Sequence, residues 1–199
     1  MKNFVFLHTD FFIMRNLFLL LTFFSIFVIK GHTAVEYPDS IDSCNVKHFE
    51  MIDNVIQFGK KYIGTPYRYG GKSDKGFDCS GFVHFIFEPY GFNLPYSSRG
   101  YSLVGEEIKA EEARKGDFAL FKGRNAAGTT IGHVALVIDV DENGSIYILH
   151  ATIHKGVTID NMSTQDYYIR RYLSMRRISP DCSQSVLLKE NVTIPAAAE

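Results

Sequence analysis

The sequence predicts an α+β domain in which N-terminal helices pack on an antiparallel sheet of about five to six strands. Two observations carry that class. After an apolar leader, the first half shows helical spacing and one buried-helix run, whereas the second half shows short β-branched and aromatic runs split by turn residues. Composition agrees: 199 residues with 46% hydrophobic side chains fit one core at roughly 150 residues per domain and exclude a disordered chain.

The leader stands apart, since 8 of the 17 phenylalanines fall within residues 1–34. Lys2 and Arg15 precede the apolar run Leu17 to Ile29, and small residues follow near Thr33 and Ala34. This reads as a secretory signal over residues 1–34, with initiation at Met1 or Met14, and the run is short of the roughly 20 residues that span a bilayer. A retained anchor is the alternative, and only through such an uncleaved leader would the chain meet a membrane. Export places the remainder in the periplasm or outside the cell. Loss of the leader removes Lys2, Arg15, Lys30 and Asp10, leaving 18 basic and 21 acidic side chains. A mildly acidic domain without Lys or Arg runs lacks the footprint of a nucleic-acid partner.

The elements follow in order within a domain expected over residues 45–182. From Val46 to Ile63, apolar residues at Phe49, Ile52, Ile56 and Tyr62, with Asp53, Lys60 and Lys61 polar, predict an amphipathic helix. Gly64-Thr65-Pro66 stops it, and Tyr67 to Phe77 reads as a loop. Asp78 is a capping residue ahead of the run Cys79 to Phe87, which predicts a buried helix starting near Cys79. Asp117 to Lys122, His133 to Val140 and Ile146 to Thr152 are strand candidates, the last two joined by the hairpin turn Asp141 to Ser145. Gly156 to Asp160 and Arg170 to Ile178 are weaker ones. Residues 183–199 form a tail, in which only Val186 to Leu188 suggests an edge strand.

A cysteine in the first turn of a helix faces unpaired backbone N–H groups, which favour thiolate over thiol. Cys79 therefore reads as a candidate nucleophile, against the plainer reading of a core cysteine. A nucleophilic cysteine needs an imidazole to take its proton and a third group to hold that ring. His133, opening a strand after a glycine-bounded loop, is the candidate general base. His150, on the neighbouring hairpin strand, can accept a hydrogen bond from it and serve as the orienting residue. His84 sits about 140° around the helix from Cys79 and should not meet it. His154 belongs to the following turn. A zinc site built from the same residues lacks a short-spaced ligand pair, so no metal and no cofactor are expected.

Five segments, in order, carry a resemblance: Gly64-Thr-Pro-Tyr-Arg-Tyr-Gly-Gly71, Phe77-Asp-Cys-Ser-Gly-Phe82, Lys115-Gly-Asp-Phe-Ala-Leu-Phe121, Gly132-His-Val-Ala-Leu-Val137 and Leu149-His-Ala151. Together they resemble the NlpC/P60 family of cell-wall cysteine peptidases, over roughly Phe49 to Ile178. The resemblance implies a papain-like core, with Cys79 as nucleophile, His133 as base and His150 as orienting residue. It also implies substrate contacts at Tyr67, Asp78 and Ser80, with the Tyr67 hydroxyl and the Cys79 N–H beside the oxyanion. The implied substrate is the peptidoglycan stem peptide, cut at the γ-D-glutamyl–diaminopimelate bond or at the crosslink between stems. Lys115 departs from the family's usual proline before Gly-Asp, in a turn rather than in the chemistry.

Two other function classes stay open. One is an amidase, transpeptidase or acyltransferase on the same Cys-His framework, and the other is an inactive wall-binding module. The remaining cysteines, Cys44 and Cys182, bracket the domain and stand either as a disulfide or as two free thiols. Nothing in the sequence calls for more than a monomer.

Overall fold

The computed structural model describes residues 39–180, with side chains from residue 44 onward. The leader, Cys182 and the tail lie outside the described residues.

Helix α1 (Asp39–Lys60) begins seven residues earlier than the apolar spacing indicates and turns Ile52, Val55 and Ile56 inward. The expected loop that follows folds into a small hairpin, β1 (Lys72–Ser73) with β2 (Gly76–Phe77). Helix α2 (Cys79–Phe87) starts at the expected cysteine, and all its residues but Phe85 are buried. The segments Glu88–Tyr90, Ser98–Leu103 and Ala110–Glu112 are short 3₁₀ turns.

Six strands form one antiparallel sheet: β3 (Glu106–Ile108), β4 (Phe118–Lys122), β5 (Ile131–Val140), β6 (Ile146–Thr152), β7 (Gly156–Asn161) and β8 (Tyr172–Arg177). Their spatial order is β3-β8-β4-β5-β6-β7, so β8 crosses back from one edge to lie between β3 and β4. A short helix, α3 (Asp166–Ile169), makes that return. The β5–β6 hairpin closes at Asp141 to Ser145, where Gly144 takes φ +79 and the Asp141 carboxylate accepts from the Asn143 and Ser145 amides at 2.9 and 2.8 Å.

The central strands are covered on both faces, which is why they read as unbroken apolar runs rather than as alternation. Phe118, Leu120, Val134, Leu136 and Leu149 pack with α1 and α2 through Ile56, Phe82 and Ile86. Ala119, Phe121, Ala135, Val137, Ile148 and Met175 pack on the other face, with Met162 and Tyr168. Lys115, where the resemblance anticipates proline, reaches Asp53 of α1 at 2.7 Å on the surface.

Candidate active site

The site grows from the start of α2. Asp78 is the N-cap, and its Oδ1 accepts from the Gly81 amide at 2.7 Å and from the Ser80 hydroxyl at 3.1 Å. Its Oδ2 accepts from the Gly70 amide at 3.0 Å, which ties the Tyr67 loop to the helix. The Ser80 hydroxyl also reaches the Tyr96 carbonyl at 2.9 Å. The structure thus spends Asp78 and Ser80 on internal hydrogen bonds, while Tyr67 lines the open cleft.

With Asp78 serving Gly81, the amides of Cys79 and Ser80 face the Cys79 sulfur, joined by the Val134 amide of β5. Such unsatisfied first-turn donors are a ready anion site. Burial pushes the Cys79 thiol above its ordinary value, and the three amides oppose it. Among the described residues Cys79 is the free cysteine, and Cys44 is disulfide-bonded.

His133 and His150 come from adjacent strands. Their rings meet through His133 Nε2 and His150 Nδ1 at 2.8 Å, and Phe121 lies 5.8 Å from the His133 ring. This leaves Nδ1 of His133 as its free nitrogen. Burial lowers the His133 pKa below the usual imidazole value, with His150 adding to the effect. His150 is fully buried and likewise lowered by burial, although Asp160 pulls the other way. Cys79, His133 and Tyr67 line one cleft of about 700 Å³, bordered by Arg124 and the β6–β7 turn with His154 and Lys155. Burial raises the Tyr67 pKa to about 12, so its hydroxyl remains a donor through neutral pH.

His84 stays away from the cysteine, as helix geometry requires: its Nδ1 meets the Leu94 carbonyl at 2.5 Å and its ring stacks on Tyr96. No group of three or more His, Cys, Asp or Glu among the described residues is disposed to hold a metal ion.

Sequence reasoning did not find the buried group behind His150. Asp160 Oδ2 lies 3.2 Å from His150 Nε2 and accepts from the Tyr168 hydroxyl at 2.7 Å. Its Oδ1 accepts from Lys155 at 2.7 Å and Gln165 at 3.3 Å. No local signal marks it, since its strand, Gly156–Asn161, also carries Thr158 and Asn161.

Residues 64–177 match the model described as the NlpC/P60 family. The chain belongs to that family. A γ-DL-glutamyl hydrolase of Bacillus subtilis is 30% identical over 165 residues, covering 82% of this chain and 37% of that protein. A murein DD-endopeptidase MepS/murein LD-carboxypeptidase of Escherichia coli is 33% identical over 134 residues, covering 67% of this chain and 66% of that protein. The chain therefore spans less than two thirds of either relative. Among solved structures, an NlpC/P60 family protein from Bacillus cereus superimposes with a TM-score of 0.56 at 31% identity, over 63% of this chain and 39% of that one. The α+β, papain-like fold expected of the family is the fold observed.

Proposed function

We propose that this NlpC/P60 chain is an exported cysteine endopeptidase that hydrolyses peptidoglycan stem peptides. One observation carries it: a cysteine under three backbone amides shares a cleft with a histidine whose Nε2 is held by a second histidine, leaving Nδ1 free. That arrangement suits acyl transfer and needs no cofactor.

In the proposed reaction His133 Nδ1 takes the Cys79 proton as the sulfur attacks the peptide carbonyl. Because burial disfavours charge on each partner alone, proton transfer and attack are coupled. The Cys79 amide and the Tyr67 hydroxyl stabilise the oxyanion, His133 returns the proton to the leaving amine, and water then cleaves the thioester. Preorganised donors of this kind are each worth about 10²–10³ in rate.

The substrate class rests on the relatives, one named a γ-DL-glutamyl hydrolase and another a murein DD-endopeptidase. The bond is the γ-D-glutamyl–diaminopimelate linkage or the crosslink. Export rests on the composition of residues 1–34. Digestion of defined muropeptides by the purified domain, followed by mass spectrometry, locates the cut. Products one water heavier in sum than the substrate are expected. Products joined to an added amine would make the chain a transferase, and an unchanged substrate would make it a binding module.

A further inference from the structure

Three adjacent strands carry His133, His150 and Asp160. His150 pairs with Thr158 across β6 and β7, and Asp160 lies two residues along β7 from Thr158, so both side chains project from one sheet face. Asp160 is 6% exposed, and its carboxylate receives four side-chain donors. Burial pushes its pKa up, but those donors outweigh burial and hold it well below the usual carboxylate range, so it is an anion at every working pH.

We propose that Asp160 is a positioning residue: its carboxylate fixes the tautomer of His150 and thereby decides which nitrogen of His133 is left to take the Cys79 proton. A carboxylate anion can only accept, so His150 Nε2 carries its hydrogen. A neutral imidazole has one N–H, which makes His150 Nδ1 an acceptor. His133 Nε2, 2.8 Å away, must then donate, and the lone pair of His133 rests on Nδ1. When the Cys79 proton moves to that Nδ1, the two other ring protons stay in place and none reaches Asp160. The anion two hydrogen bonds away favours the imidazolium so formed.

Without Asp160, the other polar group near His150 Nε2 is the Tyr168 hydroxyl at 3.4 Å. A hydroxyl donates or accepts equally well, so both His150 tautomers become available. One of them turns the free nitrogen of His133 away from its task. The charged and titratable groups around the relay are Lys155 and His154 in the β6–β7 turn, Lys122 and Arg124 at the end of β4, Tyr167 and Tyr168 on α3, and Asp78, Tyr67, Tyr69 and Tyr101 around Cys79. None of these is removed by a change at Asp160.

The proposal rests on Cys79, His133 and His150 being the reacting set, so its test uses two readouts that need no peptidoglycan. These are the ¹⁵N shifts of the labelled histidine rings and the pH dependence of iodoacetamide alkylation at Cys79, measured in the full chain, Asp160→Ala and Asp160→Asn. In the unaltered chain both His133 and His150 should be protonated on Nε2. In Asp160→Ala, His150 should gain an Nδ1-protonated population, and kcat/KM on muropeptides should fall about 10–100-fold with KM little changed. Asp160→Asn keeps an acceptor but loses the charge. Its amide can donate as well as accept, so it too should give His150 an Nδ1-protonated population and shift the rise of alkylation to higher pH, and it decides the matter alone if Asp160→Ala does not fold. A His150 that stays Nε2-protonated in Asp160→Ala, activity within twofold despite a changed tautomer, or an unmoved alkylation profile in Asp160→Asn would each overturn the proposal. If the shifts and alkylation respond while no muropeptide is cut even by the unaltered chain, the substrate reading fails and the relay stands.

Discussion

At Cys79 two opposed influences meet: burial raises the thiol pKa, and three amides pull it down. His133 is lowered by burial, so the resting pair is a neutral thiol beside a neutral imidazole. Because the His133 pKa lies beneath its ordinary 6.5, the base remains competent as pH falls past that value. The acid limb of kcat/KM should therefore lie below pH 6.5, and a limb at or above it would contradict this account. Tyr67 stays a hydroxyl donor to about pH 12, so Tyr67→Phe should lower kcat about 10²-fold with the fold intact by circular dichroism. Cys79, His133 and His150 were legible in the sequence because helix and strand starts announce themselves. Asp160 was not, since nothing local distinguishes a buried carboxylate on a short strand from a solvated one. Only the β6–β7 register, the Lys155 turn and Tyr168 of α3 make it a partner of His150.

Among the elements, α2 does the most to build the site, and Asp78 is its fastening. Asp78→Ala removes the cap on Gly81 and releases Gly70, so it should cost about 1–2 kcal/mol in denaturant unfolding. Its activity should fall further than its stability explains, because the Tyr67 loop is freed with Gly70. Gly81 matters for another reason: a Cβ there would sit 2.1 Å from the Gly71 carbonyl, so the helix could not seat against that loop. The helix itself was legible from the Asp78 cap and its apolar run. The β1–β2 hairpin and β3 were not, since strands of two or three residues made of Lys, Ser, Gly and Glu carry no hydrophobic period. α1 starts earlier than expected because its first two turns, Asp-Ser-Ile-Asp-Ser-Cys-Asn, hold too few apolar residues to show a period, and it ends at Lys60, three residues short of the expected Ile63.

Across the whole molecule, desolvation holds two histidines neutral in the fold, His133 half-buried in the cleft wall and His150 fully buried behind it. The unfolded chain takes up their protons near pH 6.5 while the folded chain does not, so stability falls as pH drops below that value. Unfolding free energy measured between pH 7.5 and 5 should decline by up to about 1.4 kcal/mol per pH unit for each histidine, and a flat profile would contradict their being held as neutral rings. Asp160, held low, contributes stability that is lost only at more acid pH, as its carboxylate protonates. The disulfide at Cys44 bears on the same scale. Thiol titration of the denatured, unreduced chain should find one free thiol, and three would contradict the crosslink.

The central claim is covalent catalysis by Cys79 on a stem peptide. The most direct test is the intact mass of the protein, quenched by acid while it digests a defined muropeptide. The account predicts an adduct of the acyl fragment's mass on Cys79, with neither adduct nor digestion in Cys79→Ala. Digestion that persists in Cys79→Ala would contradict it.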